Sequence, residues 1–429
     1  MSATASTERR RRALAVLMPG FVGPTLPDWL HELLQDGLGS ICLFGHNVEG
    51  PAQVAALTAA ISAANQHTIV AIDEEGGDVS RLHQREGSPF PGNAVLGRID
   101  DIELTRAVAG EVGAQLADVG IHLTLAPDAD VNSNPDNPVI GVRSFGADPV
   151  AVAAHTAAWT DGVQAAGVAA CAKHFPGHGD TSSDSHLSVP VLTADEATLS
   201  DRELVPFAAA IAAGTKTIMT SHIRVTALDP DNVATFSDTI LGDLLRGRLG
   251  FDGVIVTDAL DMVGASGSSG IPAAAVASIA AGADLLCLGS DISEREIADI
   301  VDALVQADLA GELPAGRLAD AADRCLALAH WAADRRQDAA TSIDDAERRP
   351  VIGVRQVIES FSLSERAAAV LASRTRPVRW VQIEPERNVA VGATPLGPFF
   401  DGGAVPALVV PIDDRSLAAD YVAEPDELT

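Results

Sequence analysis

The densest group of residues that could do chemistry lies between Lys173 and His186. It contains the string KHFPGHG at residues 173–179 and the triplet DSH at residues 184–186. Two glycines and a proline indicate a loop rather than a continuing helix. An ammonium and an imidazole at its start, on Lys173 and His174, can bind hydroxyl groups through charge-assisted hydrogen bonds. Asp184 can orient the His186 imidazole so that it transfers protons near neutral pH, although an exposed Asx turn explains an isolated Asp-X-His equally well.

The elements that would position these residues are short apolar runs separated by segments with helical spacing. Near-continuous apolar runs are typical of parallel strands buried on both faces. Their alternation with helices predicts an α/β fold of the (β/α)8 TIM-like barrel type. A doubly wound sheet is the second candidate, but no glycine-rich phosphate-binding motif follows the first run. The runs are Ala13–Met18, Ser40–Phe44, Thr68–Ile72, His122–Ala126, Val168–Ala172, Thr217–Thr220, Gly253–Thr257 and Asp284–Leu288.

Polar residues follow six of these eight runs within a few positions. In barrel enzymes the carboxyl ends of the strands carry the active site. A single such residue could be only a helix cap, but six occupied strand ends favour a functional site at this face. The residues are His46, Asn47, Asp73, Asp128, Asp130, Lys173, His174, His222 and Asp258.

Composition excludes several classes of partner. The chain has 429 residues with 29 basic and 59 acidic side chains, and its formal net charge is −30. This charge argues against binding to nucleic acid or to an anionic membrane surface. Only two of the basic residues are lysines, Lys173 and Lys216. The four cysteines are scattered, which predicts neither a disulfide framework nor a zinc site.

The two ends of the chain yield separate expectations. Arg9–Arg12 precede a short apolar run without a cleavage site, so we interpret that run as the first strand rather than a signal peptide. No apolar stretch approaches the roughly 20 residues of a membrane span, and we expect a cytoplasmic protein.

The predicted domains are a catalytic barrel over 1–335, a polar linker over 336–350 and a small α/β segment over 351–429. That last segment contains a helix near 362–372 and strands near 378–383 and 407–412.

The loop motif resembles the signature of the β-N-acetylglucosaminidases of glycoside hydrolase family 3. Three other segments are similar to the family's motifs in the same order. These are DEEGG at 73–77 with a trailing Arg81, VRSFG at 142–146, and VTDALDM at 256–262. The resemblance spans roughly Ala13 to Trp331. It implies the same barrel fold, and it implies that the segment after Pro350 is too short for the family's complete second domain.

The resemblance also implies a role for each matching residue. Asp258 is the expected nucleophile, which forms a covalent glycosyl-enzyme so that the anomeric configuration is retained. His186 is the expected general acid/base, oriented by Asp184. The substrate would be a GlcNAc-containing saccharide from peptidoglycan fragments or chitin, with no metal and no cofactor. The implied substrate-binding residues are Asp73, Arg81, Arg143, Lys173, His174 and His222. The sequence departs from the family pattern at Asp78 and His46, two positions where arginine is common. Both departures would affect the part of the pocket that binds the leaving group.

Other activities stay open from the sequence alone. A phosphorylase could use the same residues, because a neutral histidine does not repel phosphate as a glutamate would. A metal-dependent amidohydrolase could use His174, His178, His186, His222 and Asp258, but its usual His-X-His is missing after the first run. Two further alternatives are a non-catalytic sugar-binding barrel and a Schiff-base aldolase that acts through Lys173.

Overall fold

A curled sheet of parallel strands forms the centre of this protein. The computed structural model describes residues 3–183, 189–267, 269–339, 352, 360, 381–384 and 408–411. Strands β2 to β7 pair in chain order, β8 pairs with β1, and a bridge between Val256 and Leu285 joins β7 to β8. The predicted (β/α)8-type fold is thereby confirmed. The strands are β1 (Leu17–Pro19), β2 (Ser40–Leu43), β3 (Ile69–Ile72), β4 (Leu123–Thr124), β5 (Ala169–Phe175), β6 (Thr217–Thr220), β7 (Val254–Val256) and β8 (Leu286–Gly289).

A helix follows each of these strands and covers the outside of the sheet. The α-helices are α1 (Ala3–Ala15), α2 (Asp28–Asp36), α3 (Pro51–Ala64), α4 (Asn93–Ile99), α5 (Ile102–Asp118), α6 (Pro149–Ala165), α7 (Glu196–Thr198), α8 (Leu204–Ala212), α9 (Val263–Ser266), α10 (Ile271–Ala281), α11 (Glu294–Ala310) and α12 (Arg317–Ala339). After β6 the covering helix is π-helical, over Thr239–Arg248. Shorter helical segments are Gly45–Asn47, Gly141–Arg143, Leu199–Glu203 and Ala234–Phe236. Within the described part of the chain, no helix is long and apolar enough to cross a membrane.

Three short strand pairs lie outside the central sheet. Glu74–Gly76 and Val79–Ser80 form an antiparallel pair directly after β3. Val191–Leu192 pairs in parallel with Arg224–Val225. In the C-terminal region, Val381–Glu384 pairs in parallel with Leu408–Pro411. The first of these pairs matters most for the site, because it directs the residues that follow β3.

The first predicted strand is shorter than expected. Helix α1 extends to Ala15, and β1 begins only at Leu17. Alanine and arginine are strong helix formers, so the segment that includes Arg9–Arg12 continues as a helix through the first apolar residues of the run. Ala13 and Leu14 are buried, as expected of a strand, but they are buried on a helix. Burial alone therefore did not distinguish the two structures.

The C-terminal predictions agree with the structure in part. Strands Val381–Glu384 and Leu408–Pro411 occur where the sequence predicts strands. Helix α12 reaches Ala339, so it includes residues 336–339 at the start of the predicted linker. The rest of that linker and the predicted helix at 362–372 lie outside the described residues. The division into a barrel, a linker and a second segment stays a prediction.

A buried acidic residue holds together the amino-terminal end of the barrel. Asp284 precedes β8 and has no solvent exposure. It accepts hydrogen bonds from the guanidinium groups of Arg246 and Arg317 and from the Ile255 backbone N–H at 2.9 Å. The Arg324 Nε lies 4.0 Å away. This carboxylate thus connects β7, the helix after β6 and α12.

We expect Asp284→Asn to lower the free energy of unfolding by about 3–5 kcal/mol, because it leaves partly buried guanidinium groups without their counter-charge. Urea unfolding measures this free energy. Asp320→Asn is the matched control, since Asp320 pairs with the same Arg317 and Arg324 at the surface and should cost no more than about 1 kcal/mol. Equal losses in both variants would contradict a special role for Asp284.

Candidate active site

A cavity of about 400 Å³ opens at the carboxyl ends of the strands. Six of the predicted site residues lie on its wall, and they come from different strand ends and loops. They are Asp73, Arg81, Arg143, Lys173, His174 and Asp258. The wall also includes Phe44, Glu75, Val79, Leu125, Val139, His178, Met219, Ala259, Asp261, Met262, Val263, Cys287, Gly289 and Ser290. The structure therefore brings together side chains that are far apart in the sequence.

A buried network of ion pairs forms one side of the cavity. The Lys173 Nζ lies 2.9 Å from Asp73 Oδ1 and 2.7 Å from Glu75 Oε1. Arg143 donates two hydrogen bonds to Glu75, at 2.8 and 3.0 Å. Arg81 Nη2 lies 3.6 Å from Asp73 Oδ2. Glu75 is the centre of this network, although it was not among the residues predicted from the sequence.

These groups stay charged at neutral pH despite their burial. Burial alone would raise the pKa of Asp73, but Lys173 and Arg81 more than offset it, so the pKa is lowered. The same competition lowers the pKa of Glu75, where Arg143 and Lys173 overcome the burial effect. Burial would also lower the pKa of Lys173, but the Asp73 and Glu75 carboxylates raise it. The network presents a fixed pattern of charge to anything in the cavity.

The antiparallel pair after β3 explains how Glu75 reaches the network. The neighbouring Glu74 faces the other way and accepts the backbone N–H groups of Arg81 and Leu82, at 3.0 and 2.9 Å. Successive residues of an extended strand point to opposite sides. Glu75 consequently points towards Arg143 and the cavity, whereas Glu74 stabilises the hairpin.

His174 is oriented by a carboxylate behind it. Its Nδ1 lies 2.7 Å from Asp130 Oδ2, and its Nε2 lies 3.4 Å from Arg143 Nη2. Because a guanidinium can only donate, this network assigns the proton to Nδ1 and leaves Nε2 as the acceptor. Asp130 also accepts the backbone N–H of His178 at 2.6 Å. The sequence places Asp130 at a strand end but does not reveal that it is the partner of His174.

Asp128 is the most poorly compensated carboxyl group of the site. It is fully buried, and its Oδ2 makes no hydrogen bond but lies 3.8 Å from Arg143 Nη2. Burial, reinforced by the nearby Asp130 charge, raises its pKa well above the ordinary value for aspartate. Asp128 is therefore the carboxyl group of this cluster whose charged form is least favoured.

Asp128, Asp130 and His174 could offer three ligand atoms to a metal, since these atoms lie within 4.8 Å of one another. However, His174 Nδ1 and Asp130 Oδ2 already bind each other. The Arg143 guanidinium beside Asp128 would repel a cation. The described residues thus fit a hydrogen-bonded acid cluster better than a divalent metal ion.

Asp258 stands at the end of β7 with its carboxylate on the cavity wall. Its Oδ1 accepts the backbone N–H of Ala259 at 2.8 Å, and the side chain is partly exposed. The preceding residue is anchored as well, because Thr257 Oγ1 accepts the Cys287 N–H at 3.0 Å. A carboxylate held in this way can approach a molecule bound in the cavity.

His222, which was predicted to bind substrate, is fully buried and is not among the residues that line the cavity. Its Nε2 lies 3.0 Å from the Ala259 carbonyl oxygen, and its Nδ1 lies 2.9 Å from Thr235 Oγ1. His222 therefore supports the backbone next to Asp258, and its contact with substrate stays a prediction.

Two other polar residues at strand ends are structural. Asn47 donates hydrogen bonds to the carbonyl groups of Phe21 and Gly23, both at 2.7 Å. His46 Nε2 lies 2.8 Å from the same Phe21 carbonyl. These contacts hold the loop after β1 against the end of β2.

Asp184 and His186 lie outside the described residues, so their predicted roles are untested. The described loop before them is well anchored. Thr181 Oγ1 lies 2.7 Å from His178 Nδ1, and Asn137 Nδ2 donates to the His178 carbonyl at 2.8 Å.

His178 is buried in the loop base, and its burial lowers the pKa to about 4. Between about pH 6.5 and pH 4 the unfolded chain binds a proton that folded His178 excludes, so the free energy of unfolding should fall as the pH is lowered through this window. The loss should approach about 3 kcal/mol. Urea unfolding of the wild type and of His178→Gln at several pH values measures it.

Glu203 contributes in the opposite direction, because burial raises its pKa to about 7. The difference between wild type and His178→Gln separates the two groups, since Glu203 is present in both. A variant with the same pH dependence as the wild type would contradict the assignment to His178.

Known proteins are similar to this chain in sequence and in fold. The family model described as the glycosyl hydrolase family 3 N-terminal domain matches residues 27–328. The chain is 40% identical over 299 residues to beta-hexosaminidase A of Pseudoalteromonas piscicida, which covers 64% of this chain and 50% of that protein. It thus spans about half the length of this curated relative.

Two solved structures are similar over most of the chain. A glycoside hydrolase family 3 beta-N-acetylglucosaminidase from Paenibacillus sp. str. FPU-7 has a TM-score of 0.80 and 32% identity, covering 96% of this chain and 82% of that one. NagZ from Neisseria gonorrhoeae, in complex with N-trifluoroacetyl-D-glucosamine, has a TM-score of 0.60 and 30% identity, covering 73% and 98%. With the family model matching well over half of its residues, the chain belongs to glycosyl hydrolase family 3.

Proposed function

We propose that this protein is a retaining, exo-acting β-N-acetylhexosaminidase. It would remove terminal GlcNAc from peptidoglycan fragments or chitin oligosaccharides. The observation that carries the proposal is that the Asp258 carboxylate shares one cavity with the Lys173–Arg143–His174 group. The activities named for the similar proteins support it.

The charged network suits the recognition of a sugar. Its ammonium and guanidinium groups can donate to hydroxyl and acetamido oxygens, while Asp73 can accept from hydroxyl groups. Since Lys173 and Arg143 are already held by Glu75, little side-chain freedom is lost when a sugar binds. The oriented Nε2 of His174 adds a further polar contact at the same wall.

In the proposed reaction, Asp258 attacks the anomeric carbon and the bond to the leaving oxygen breaks. His186 donates its proton to that oxygen, and Asp184 stabilises the imidazolium form. In the second step His186 takes a proton from water, which attacks the same carbon and releases Asp258. Two inversions give net retention. The Ala259 N–H holds one oxygen of the Asp258 carboxylate in place at the cavity wall.

Hydrolysis of 4-nitrophenyl β-N-acetylglucosaminide by the full chain tests this proposal, with the α-anomer and the β-glucoside as matched controls. NMR spectra recorded early in the reaction should show β-GlcNAc as the first product. Failure to release nitrophenol, or α-GlcNAc as the first product, would overturn the proposal. Accumulation of GlcNAc 1-phosphate only in phosphate buffer would identify a phosphorylase instead.

A further inference from the structure

We propose that three sulfur side chains inside the barrel, Cys42, Met18 and Cys287, form a binding site for a soft monovalent metal ion such as Cu⁺. They come from three consecutive strands, β2, β1 and β8. A bound ion would lie beneath the cavity and lower the activity of the site above it. The ion site is independent of the proposed function, and only the inhibition rests on that function.

Sulfur side chains are concentrated inside the barrel. The chain has four cysteines and four methionines, and six of these eight residues belong to one buried cluster. All of the six except Cys325 lie on strands of the central sheet. Thiolate and thioether sulfurs are the ligands that favour soft ions such as Cu⁺. The six residues are Met18, Cys42, Cys171, Met219, Cys287 and Cys325.

The strand register places three of these residues at one level of the barrel. Met18 on β1 is directly opposite Cys287 on β8. On the other side of β1, a Cβ atom at Gly39 would overlap the Ala15 backbone, so these two positions lie side by side. Three residues further along each segment, Cys42 lies next to Met18. The three sulfur side chains therefore form one layer that crosses β2, β1 and β8.

The two thiols are neighbours at the floor of the cavity. Cys42 and Cys287 share a side-chain hydrogen bond, and this bond together with burial raises the pKa of Cys287 well above its ordinary value. Cys42 has no solvent exposure, whereas Cys287 is 3% exposed and lies on the cavity wall. An ion that enters the cavity can therefore reach Cys287 first and then the layer behind it.

The spacing of the strands favours a bridging ion over a disulfide. Strand β1 pairs with β8 and packs beside β2, so Cys42 and Cys287 are two strands apart. Their Cα atoms are then roughly 9 Å apart, whereas a disulfide requires less than about 7 Å. An ion between the sulfurs adds two metal–sulfur bonds of about 2.3 Å and spans this gap. Structural zinc takes four ligands, one more than these three residues supply.

The backbone of Cys287 connects the sulfur layer to Asp258. Its N–H donates to Thr257 Oγ1 at 3.0 Å, and its carbonyl accepts the Leu260 N–H at 2.9 Å. These two contacts lie on either side of Asp258 in the sequence. A sulfur drawn towards an ion would shift this backbone and the Asp258 carboxylate with it. We expect kcat for the aryl glycoside to fall at least about tenfold, since misplacing a group by about 1 Å can cost about 10²-fold.

Anaerobic competition between the full chain and the chromogenic Cu⁺ chelator bicinchoninate tests the site. The wild type should take one Cu⁺ per chain from the chelator, and X-ray absorption should show only sulfur neighbours. Cys42→Ala and Cys287→Ala should each abolish this transfer, and Met18→Leu should weaken it. Cys171→Ala is the matched control, because it removes a thiol of the same cluster from β5 and should bind like the wild type.

The affinity should also depend on pH, because the ion must displace the thiol proton of Cys287. Each unit by which the pH is lowered should weaken Cu⁺ binding at least about tenfold. The same competition, repeated at several pH values, measures this dependence. A pH-independent affinity would contradict binding through the thiols.

A folded wild type that takes no Cu⁺ from the chelator would overturn the inference, as would unchanged transfer to Cys42→Ala and Cys287→Ala. If neither cysteine variant folds, X-ray absorption of the wild type decides, because nitrogen or oxygen neighbours would place the ion elsewhere. Binding without loss of activity would overturn the inhibition. A wild type that is inactive before copper is added would instead refute the proposed function, while the binding test still decides the ion site.

Discussion

Asp258→Ala is expected to lower kcat for the aryl glycoside by at least about 10³-fold, because the variant cannot form the covalent glycosyl-enzyme. The fold should survive, since Asp258 is partly exposed and its described hydrogen bond is a local one to Ala259. Steady-state kinetics and thermal melting of the same preparations measure both effects. Added azide should restore part of the activity and give the α-glycosyl azide, because a small anion fits where the carboxylate stood.

Covalent trapping supplies the second half of this test. A slow 5-fluoro derivative of an activated GlcNAc donor should add one sugar to the wild type, and peptide mapping should locate it at Asp258. Asp261→Asn is the matched control, since it removes a carboxylate from the same wall but should leave the label in place. A label at Asp261, or full activity in Asp258→Ala, would exclude Asp258 as the nucleophile.

Lys173→Met is expected to impair both stability and activity. The substitution leaves Asp73 and Glu75 without their shared ammonium, whose Nζ lies 2.9 and 2.7 Å from the two carboxylates. Breaking a buried ion pair in this way costs about 3–5 kcal/mol. The kcat/KM should fall by at least about 10²-fold. The variant loses one charged contact to substrate and displaces the neighbouring ion pairs, and together these changes raise the activation free energy by about 3 kcal/mol. Urea unfolding and kinetics on the aryl glycoside measure the two effects.

The chain provides a matched control in its only other lysine. Lys216 lies over the Trp331 ring, 5.4 Å from its centre, and Lys216→Met should cost no more than about 1 kcal/mol. Lys173→Arg should not restore wild-type activity, because a planar guanidinium cannot replace a compact ammonium between two carboxylates. Full activity in the arginine variant would contradict the assigned role.

The sequence located most of the barrel and much of the site. Buried parallel strands are continuous apolar runs, so the runs could be identified directly. Since the ends of parallel strands converge at one face, the positions of Asp73, Lys173 and Asp258 after their runs were enough to predict that they lie together. The same reasoning failed at the first strand, where alanine-rich helix and buried strand have similar composition near Ala13.

Two features of the site could not be predicted from the sequence, for a common reason. His222 and Asp73 each follow a strand, yet His222 is buried against Thr235 and Ala259 whereas Asp73 lies on the cavity wall. The sequence does not show which way a side chain points once the regular strand has ended. Glu75 was overlooked for this reason, since only the hairpin after β3 turns it towards Arg143.

By itself, the sequence determined the fold class, the family and the chemical identity of the residues at the strand ends, because these depend on local patterns. Tertiary structure decided which charges pair and which stay uncompensated. Lys173 and Asp73 are 100 positions apart, and Arg143 and Glu75 are 68 apart. Their pairing, and hence their pKa values, depends on distances that arise only when the strands assemble side by side.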